Sequence, residues 1–148
     1  MNRVPDAIAV VDRGLDALER GDVEGFARVL EEGCRSDYEF SSAIDTALGG
    51  APLRGAAQIK AWFADLLETA DEVHWRERRY EALGPNAFLV LTRFEMKGRA
   101  SGVPTETQVG QVYELDERGL ISRSRSYASH AEARQAARGL RDRADTHA

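Results

Sequence analysis

The sequence predicts an α+β protein in which a curved antiparallel sheet wraps over N-terminal helices and a further helix follows the sheet. Three observations support this class. Two helical patterns open the chain, alternating patterns dominate its second half, and a hairpin over residues 105–128 leads directly into a last helix. Helices that are segregated from a run of antiparallel strands are typical of α+β domains.

The composition sets the broad class of protein. The 148 residues are enough for one buried core, so a single domain over residues 1–148 is expected. A net charge of −5 argues against nucleic acid as a partner. No apolar run approaches the roughly 20 residues of a membrane span. Cys34 has no disulfide partner and no metal-type Cys/His spacing occurs, so we expect a cytoplasmic protein without metal or cofactor.

The first half of the chain is patterned as three helices around one strand. Pro5 precedes apolar residues at helical spacing, and Asp22 is a suitable N-cap for a second helix. Alternation around Tyr38 and Phe40 puts both side chains on one face of a strand. The predicted elements are a helix ending before residue 21, helices over 23–32 and 56–69, a strand over 35–41 and a loop over 42–53.

The second half is patterned as four strands and one helix. Ser129 and Glu132 have the spacing of a capping box, which predicts that the last helix begins there. The segment after Gly139 is rich in Arg and Asp, and residues 140–148 are expected to fray. The predicted strands cover residues 73–83, 87–97, 105–115 and 120–128.

Several short segments follow one another along nearly the whole chain. They are GDVE at 21–24, RGAAQI at 54–59, AWF at 61–63, GRASGV at 98–103 and VYELDERG at 112–119, followed by Ile121 and Tyr127. In this order they resemble the nuclear transport factor 2-like superfamily, in particular its SnoaL-like polyketide cyclase and ketosteroid isomerase branches. The resemblance implies a cone-shaped domain with an apolar pocket, and a homodimer formed through the convex sheet face. It does not imply one chemistry, because this scaffold hosts several enzyme classes and non-catalytic binders.

The resemblance and the alternation together define the inward face of the sheet. The turn at 116–119 puts Gln111 where the isomerase keeps a neutral, proton-donating Asp. The third-helix match puts Trp62 and Phe63 on pocket-lining aromatic positions. Alternation then predicts further inward side chains. These are Val90, Thr92, Phe94, Met96, Val109, Tyr113, Leu115, Ser122, Ser124, Ser126 and Ala128.

The predicted pocket is polar at several points but lacks the acid–base set of the isomerase. An ungapped match to the isomerase through Gly21 and Asp22 puts Tyr38 in place of the general base and Gly14 in place of an oxyanion-hole tyrosine, so steroid-type isomerisation is not expected. Gln111 donates and accepts hydrogen bonds, which suits a carbonyl or hydroxyl ligand or a bond to a neighbouring Ser or Tyr. Ser124 and Ser126 either bind a polar ligand or make room for aromatic side chains.

One alternative register would change the chemistry. If the first strand shifts by one residue, Asp37 and Glu39 face inward as candidate acid–base groups; otherwise they lie on a solvated face. Asp45, in the predicted loop, is a further candidate carboxylate, and His74 is expected at the surface. Outward arginines and glutamates on neighbouring strands favour cross-strand ion pairs at a dimer interface on the convex face over an anion site. These are Arg76 or Arg79, Arg93, Arg123 and Arg125 with Glu95, Glu106 and Glu114.

Two functions follow as hypotheses. The first is a cofactor-free acid–base enzyme of the cyclase, isomerase or dehydratase type, acting on a hydrophobic carbonyl compound with Gln111 and Tyr38 as catalytic residues. The alternative is a non-catalytic ligand-binding or protein-association module. The expected partners are a small hydrophobic organic ligand and a second copy of the chain, with neither nucleic acid nor membrane. The predicted ligand-binding residues are Trp62, Phe63, Thr92, Phe94, Tyr113, Ser124 and Ser126.

Overall fold

A computed structural model describes residues 3–146 and confirms the α+β class. The helices are α1 (Val4–Glu19), α2 (Val23–Gly33), α3 (Ala43–Leu48), α4 (Gly55–Glu68) and α5 (His130–Thr146). The strands are β1 (Cys34–Ser41), β2 (Leu53–Arg54), β3 (Ala70–Ala82), β4 (Ala87–Gly98), β5 (Pro104–Leu115) and β6 (Ile121–Tyr127). None of the helices within residues 3–146 combines the length and apolar composition that a membrane span requires.

The six strands form one curved sheet in the order β2-β1-β6-β5-β4-β3. Neighbours are antiparallel except β1 and β6, which run parallel, so the sheet is mixed and the wholly antiparallel prediction was wrong in this respect. Alternation indicates which face of the sheet a side chain occupies. It does not indicate whether a neighbouring strand from a distant part of the chain runs parallel or antiparallel.

The N-terminal helices pack on the concave side of this sheet. Pro5 stands in the first turn of α1, and the buried face of that helix includes Val4, Val11 and Leu18. The Asp22 carboxylate accepts a hydrogen bond from the Gly25 amide at 2.8 Å, which confirms the predicted N-cap of α2. The apolar faces of α1, α2 and α4 therefore close the open side of the cone.

The segment predicted as a loop over residues 42–53 contains the short helix α3 and the two-residue strand β2. Phe40 of β1 pairs with Leu53 of β2. On α3, Ile44 and Leu48 are exposed, so this helix shows no apolar periodicity toward the core. A helix of six residues is too short to give a recognisable period and depends on tertiary contacts for its stability.

The last helix packs on the convex side of the sheet. It covers a second apolar cluster that includes Leu89, Leu91 and Val112. A Cβ atom on Gly110 would lie 2.3 Å from Cβ of Ala133, so glycine permits this close approach. The helix continues to Thr146 through the segment that was expected to fray, and residues 147 and 148 lie outside the described part. The homodimer predicted through the convex face stays a prediction, and α5 already occupies the apolar part of that face.

The beginning of α5 follows the predicted capping pattern. The amide of Glu132 donates to the Ser129 hydroxyl at 3.1 Å, which is one of the two hydrogen bonds of a capping box. His130, the first residue of the helix, bonds through Nε2 to the Thr92 carbonyl at 2.7 Å. These contacts anchor the start of the helix at the sheet.

Two strand irregularities change which side chains face inward. In β3 the register with β4 shifts between Arg76 and Arg79, and Glu77 in this bulge has a φ of 56°. In β6 a shift near Glu114 and Leu115 brings Ile121 into the core.

The inward positions predicted for Ser122 and Ala128 were wrong, the first because of this shift and the second because β6 ends at Tyr127. The Ser122 hydroxyl donates to the Glu114 carbonyl at 3.1 Å, and Ala128 lies beyond β6 and is exposed. A bulge inserts one residue into the alternation and reverses the face of every residue beyond it.

The charged part of the convex face carries the predicted cross-strand ion pairs. Arg93 lies 3.2 Å from Glu106 and 3.4 Å from Glu95, while Arg123 bonds Glu114 at 2.8 Å. Arg76 also pairs with Glu95. These arginines are bound to glutamates of the same chain, and exposed pairs of this kind contribute little to stability.

Candidate functional site

Two cavities lie on the concave side of the sheet. The inner cavity has a volume of about 50 Å³ and the outer cavity one of about 150 Å³. The inner cavity is lined by Val10, Val11, Gly14, Leu15, Leu18, Phe26, Val29, Leu30, Cys34, Tyr38, Ile59, Tyr113 and Ile121. The outer cavity is lined by Ser42, Ala43, Trp62, Leu66, Phe94, Val109 and Ser126. Phe40, Phe63, Trp75 and Gln111 line both and form the partition between them.

Aromatic rings form most of the outer cavity and its partition. The ring of Phe40 lies 5.7 Å from that of Trp62 and 5.5 Å from that of Phe63. On the opposite side, Trp75 and Phe94 have ring centroids 5.0 Å apart. These rings lock one another in tilted arrangements, which aromatic pairs prefer. The structure thus places Trp62, Phe63 and Phe94, which were predicted as ligand-binding residues, at one cavity.

A hydrogen-bonded group, here called the Gln111 network, consists of Gln111, Tyr113 and Ser126. Gln111 is 7% exposed, and its Nε2 donates to the Ser126 hydroxyl at 3.2 Å. The Tyr113 hydroxyl donates to Oε1 of Gln111 at 3.3 Å. The predicted inward orientation of all three is therefore observed. The bonds to Ser126 and Tyr113 confirm the alternative in which Gln111 bonds neighbouring side chains, and the residue also lines both cavities.

A second buried pair links two further predicted residues. The hydroxyl oxygens of Tyr38 and Ser124 lie 2.5 Å apart. Tyr38 lines the inner cavity, whereas Ser124 is fully buried behind it and lines neither cavity. Thr92 also lines neither cavity, since its hydroxyl donates to the Val109 carbonyl at 3.4 Å. Ser124 and Thr92 are thus separated from both spaces by other side chains.

The ionisable groups of the inner cavity are all held in their neutral form. Burial raises the pKa of the Cys34 thiol to about 12. Burial also raises the pKa of Tyr38 and of Tyr113 above their ordinary value. An apolar environment disfavours the charged form of an acid, so these groups are donors at neutral pH and not bases.

The shifted register of the first strand was wrong. Asp37 is exposed and bonds Arg35, while Glu39 accepts from Arg54 at 2.6 Å. Tyr38 and Phe40 occupy the inward positions because burying their rings outweighs any gain from burying carboxylates. Among the side chains that the structure describes, no Asp, Glu, His, Lys or Arg lines either cavity. The side chain of Asp45 lies outside that part.

Trp75 is a cavity residue that sequence reasoning missed. It lies directly opposite Phe94 in the β3–β4 ladder, so the two rings share one face. Its spacing from Val73, which is also buried, was a usable signal. The bulge beyond Arg76 obscured that signal, because the alternation of inward and outward side chains changes at the bulge.

A partly buried ionic group, here called the Arg78 cluster, was also missed. It consists of Arg78, Asp12, Asp16, Glu19 and Tyr80, and it joins α1 to β3. Arg78 donates through Nη1 to Asp12 at 2.9 Å and to Asp16 at 2.8 Å, and its Nη2 lies 3.0 Å from Glu19. The Tyr80 hydroxyl donates to Asp12 at 2.6 Å. That hydrogen bond, followed by the bonds and charge of Arg78, lowers the pKa of Asp12.

The two groups differ in their capacity to hold a ligand. Among the side chains that the structure describes, no three of His, Cys, Asp or Glu are grouped as a possible metal site. The Arg78 cluster borders no cavity described above, whereas the Gln111 network borders both. The neutral donors and aromatic walls of the outer cavity are the usual features of a site for a small organic molecule.

The fold defines a cone-shaped α+β protein of the nuclear transport factor 2-like superfamily, as the sequence resemblance predicted. Within it, the chain belongs to the SnoaL-like domain family, whose sequence pattern matches residues 11–124. No curated protein sequence matches the chain.

Solved structures share the fold at low sequence identity. An NTF2-like protein from Anabaena variabilis has a TM-score of 0.67 at 14% identity, over 85% of this chain and 89% of that one. TerC, co-crystallised with polyporic acid, has a TM-score of 0.65 at 16% identity, over 89% of this chain and 98% of that one. The Δ5-3-ketosteroid isomerase from Mycobacterium sp. has a TM-score of 0.61 at 20% identity, over 86% and 93%. At these identities the similarity shows the fold alone.

Proposed function

We propose that the protein binds a small, neutral, hydrophobic carbonyl compound in the outer cavity, with the carbonyl oxygen hydrogen-bonded to Gln111. The observation that carries this proposal is a buried amide on the wall of an aromatic cavity. A few polar groups within apolar walls orient a ligand and give it specificity. The complex of TerC with polyporic acid supports the part of the proposal that concerns a small organic ligand, because that protein has the same fold.

The cavity chemistry favours binding over acid–base catalysis. Proton abstraction from carbon needs a base within hydrogen-bond reach of the substrate. The cavity-lining groups that titrate are Cys34, Tyr38 and Tyr113, and burial raises the pKa of each. At neutral pH they retain their protons and cannot accept one from a substrate. The non-catalytic ligand-binding function is therefore preferred here over the enzyme.

The enzyme is the second candidate, and one specific observation favours it. Tyr38 and Tyr113 border the inner cavity as neutral hydroxyls, and Gln111 faces both cavities. Neutral donors aimed at a carbonyl oxygen stabilise negative charge that develops there. A cyclase, isomerase or dehydratase type of reaction, without a cofactor, would use Gln111 and Tyr38 in this way.

The binding proposal is tested by titrating the protein with neutral aryl ketones of one to three rings. The only two tryptophans of the chain, Trp62 and Trp75, both line the outer cavity, so their indole N–H signals in NMR spectra report on this site. We expect at least one ketone to shift both signals saturably. Gln111→Leu should lower the affinity for that ketone about 10-fold, which is the size of one lost hydrogen bond in a buried site.

A matched control is available on the same strand. Gln108 is exposed and bonds the His130 amide on the other side of the sheet. Gln108→Leu removes the same amide outside the cavity and should leave the affinity unchanged. If both variants lower the affinity for the ketone equally, or if no ketone shifts the indole signals, the binding proposal fails.

Hydrogen–deuterium exchange separates the binder from the enzyme. An aryl methyl ketone is incubated with the protein in D₂O, and the loss of its methyl proton signal is followed. A binder leaves the exchange rate at its value in buffer. An acceleration above about 100-fold, the lower range of general acid–base catalysis, that is abolished in Tyr38→Phe would establish the enzyme instead.

A further inference from the structure

Two N–H or O–H donors of the Gln111 network are not used by the hydrogen bonds within it, and both belong to residues that line the outer cavity. The amide nitrogen of Gln111 has two N–H groups and uses one for Ser126. The Ser126 hydroxyl accepts that bond, so its own hydrogen is not consumed by it. Both residues are more than nine-tenths buried and line the outer cavity. Buried N–H groups rarely stay without a partner, so the ligand atom that meets these donors is an acceptor.

The surroundings of these donors determine the charge of the ligand. None of the described residues around the outer cavity is Lys, Arg or His, so an anion would find no counter-charge there. Nor is there an acidic group to hold a cation among them. Burying an unpaired charge costs far more than burying a neutral carbonyl group. A ligand without net charge is therefore favoured.

The size and walls of the outer cavity determine the shape of the ligand. Its volume is about 150 Å³, and an engineered apolar cavity of that volume in another protein binds benzene. Phe40, Phe63 and Trp75 close it toward the inner cavity, which adds only about 50 Å³. The surrounding rings offer faces and edges to a flat partner. A single aromatic ring fills this space, and the partition leaves no room for a second fused ring on its inner side.

We propose that the outer cavity selects a neutral compound with one aromatic ring and a carbonyl oxygen attached to it, of the aryl alkyl ketone class. The ring lies among Trp62, Trp75 and Phe94, and the oxygen accepts from Gln111 and Ser126. This rests on the proposed function, because it names the ligand class of the same site.

The selectivity of the wild-type protein is tested with acetophenone and three further compounds, each of which differs from acetophenone in one property. The three are ethylbenzene without the oxygen, benzoate with a charge, and 2-acetonaphthone with a fused second ring. Affinities are measured from the Trp62 and Trp75 indole signals. Relative to acetophenone, we expect ethylbenzene and 2-acetonaphthone each to bind at least ~10-fold more weakly, and benzoate at least ~100-fold more weakly.

Each contrary result overturns a defined part of the inference. Equal affinity for ethylbenzene overturns the role of the two donors, and tight benzoate binding overturns the neutral ligand. A fused-ring ketone that binds as tightly as acetophenone overturns the single-ring limit, while the proposed carbonyl-binding function survives. If none of the four shifts either indole signal, and larger aryl ketones do not either, the proposed function itself fails.

Two variants locate the selectivity in the named residues. Ser126→Ala removes one donor and should reduce the preference for acetophenone over ethylbenzene by ~3-fold or more. Phe40→Leu shortens the partition and should bring 2-acetonaphthone within ~3-fold of acetophenone. If Phe40→Leu does not fold, the four affinities of the wild-type protein still decide the proposal. An unchanged preference in a folded Phe40→Leu protein contradicts the role of the partition.

Discussion

The Arg78 cluster, which is partly buried, and the Gln111 network, which is buried, are two polar groups that the protein uses differently. In the Arg78 cluster, the guanidinium meets three carboxylates and the Trp75 carbonyl, so the donors of all three of its nitrogens have acceptors in the same chain. In the Gln111 network, donors are left over beside an aromatic cavity. A polar group whose partners are all supplied by the fold stabilises that fold. One that faces a cavity with unused donors is suited to an external ligand.

The largest expected effect comes from removing the charge of Arg78, whose side chain is 15% exposed. Arg78→Met keeps the apolar stem and leaves three carboxylates without their cation. We expect the free energy of unfolding to fall by about 2–3 kcal/mol, somewhat less than for a fully buried pair because the carboxylates are partly solvated. Urea denaturation at pH 7 measures this loss.

Arg76 provides the matched control for that change. It lies on the same strand, but its side chain is 48% exposed and pairs with Glu95 at the surface. Arg76→Met should lower the free energy of unfolding by about 1 kcal/mol or less. If the two variants are equally stable, Arg78 does not anchor α1 to β3, and the contrast between the Arg78 cluster and the Gln111 network is lost.

The next effect concerns the Gln111 network. Gln111→Leu should lower ligand affinity about 10-fold while the free energy of unfolding changes by only about 1 kcal/mol, since the side chain faces cavities in which its lost bonds are partly replaced. Affinity and urea stability are measured on the same preparation. A loss of stability as large as that of Arg78→Met would show that this network is structural too.

A smaller effect is expected from the hydrogen bond between Tyr38 and Ser124. A double-mutant cycle with Tyr38→Phe, Ser124→Ala and both together isolates it, because each change removes one hydroxyl with little loss of packing. We expect a coupling energy of about 1 kcal/mol in urea denaturation. A coupling near zero would mean that the two hydroxyls bond water in solution and not each other.

The smallest effects appear in the pH dependence of stability, and they have opposite signs in the two regions. The pKa of Asp12 is lowered below its ordinary value of 3.8 in the folded protein, so its contribution is present above pH 4 and is lost as the pH falls below it. Urea midpoints between pH 5 and pH 3 should decline more steeply for the wild type than for Asp12→Asn. Equal slopes would contradict the assignment.

For the inner cavity, the loss of stability is expected at alkaline pH. Burial raises the pKa of Cys34 from 9.0 to about 12, so the unfolded chain ionises first and stability falls as the pH rises above 9. Cys34→Ala should reduce this dependence, while the raised pKa values of Tyr38 and Tyr113 retain part of it near pH 10. Urea midpoints at pH 8 and pH 10 for both proteins test it, and a wild type that is insensitive to pH in this range would contradict it.

Much of the candidate site was predictable because it lies on regular strands. Gln111, Tyr113 and Ser126 alternate on β5 and β6, and Phe94 follows the same rule on β4. Ser122 and Trp75 escaped this reasoning because each stands near a bulge. Alternation is a local property that holds only as long as no residue is inserted into the strand.

The sequence by itself determined the α+β class, the helix beginning after Asp22, the family and the inward face of the regular strands. These depend on neighbours within a few positions, through capping, periodicity and alternation. Only the tertiary structure decided that α5 covers the convex face, that Arg78 meets the carboxylates of α1 and that aromatic rings divide the interior into two cavities. Those contacts join residues far apart in the chain, and their selection depends on how whole surfaces fit together.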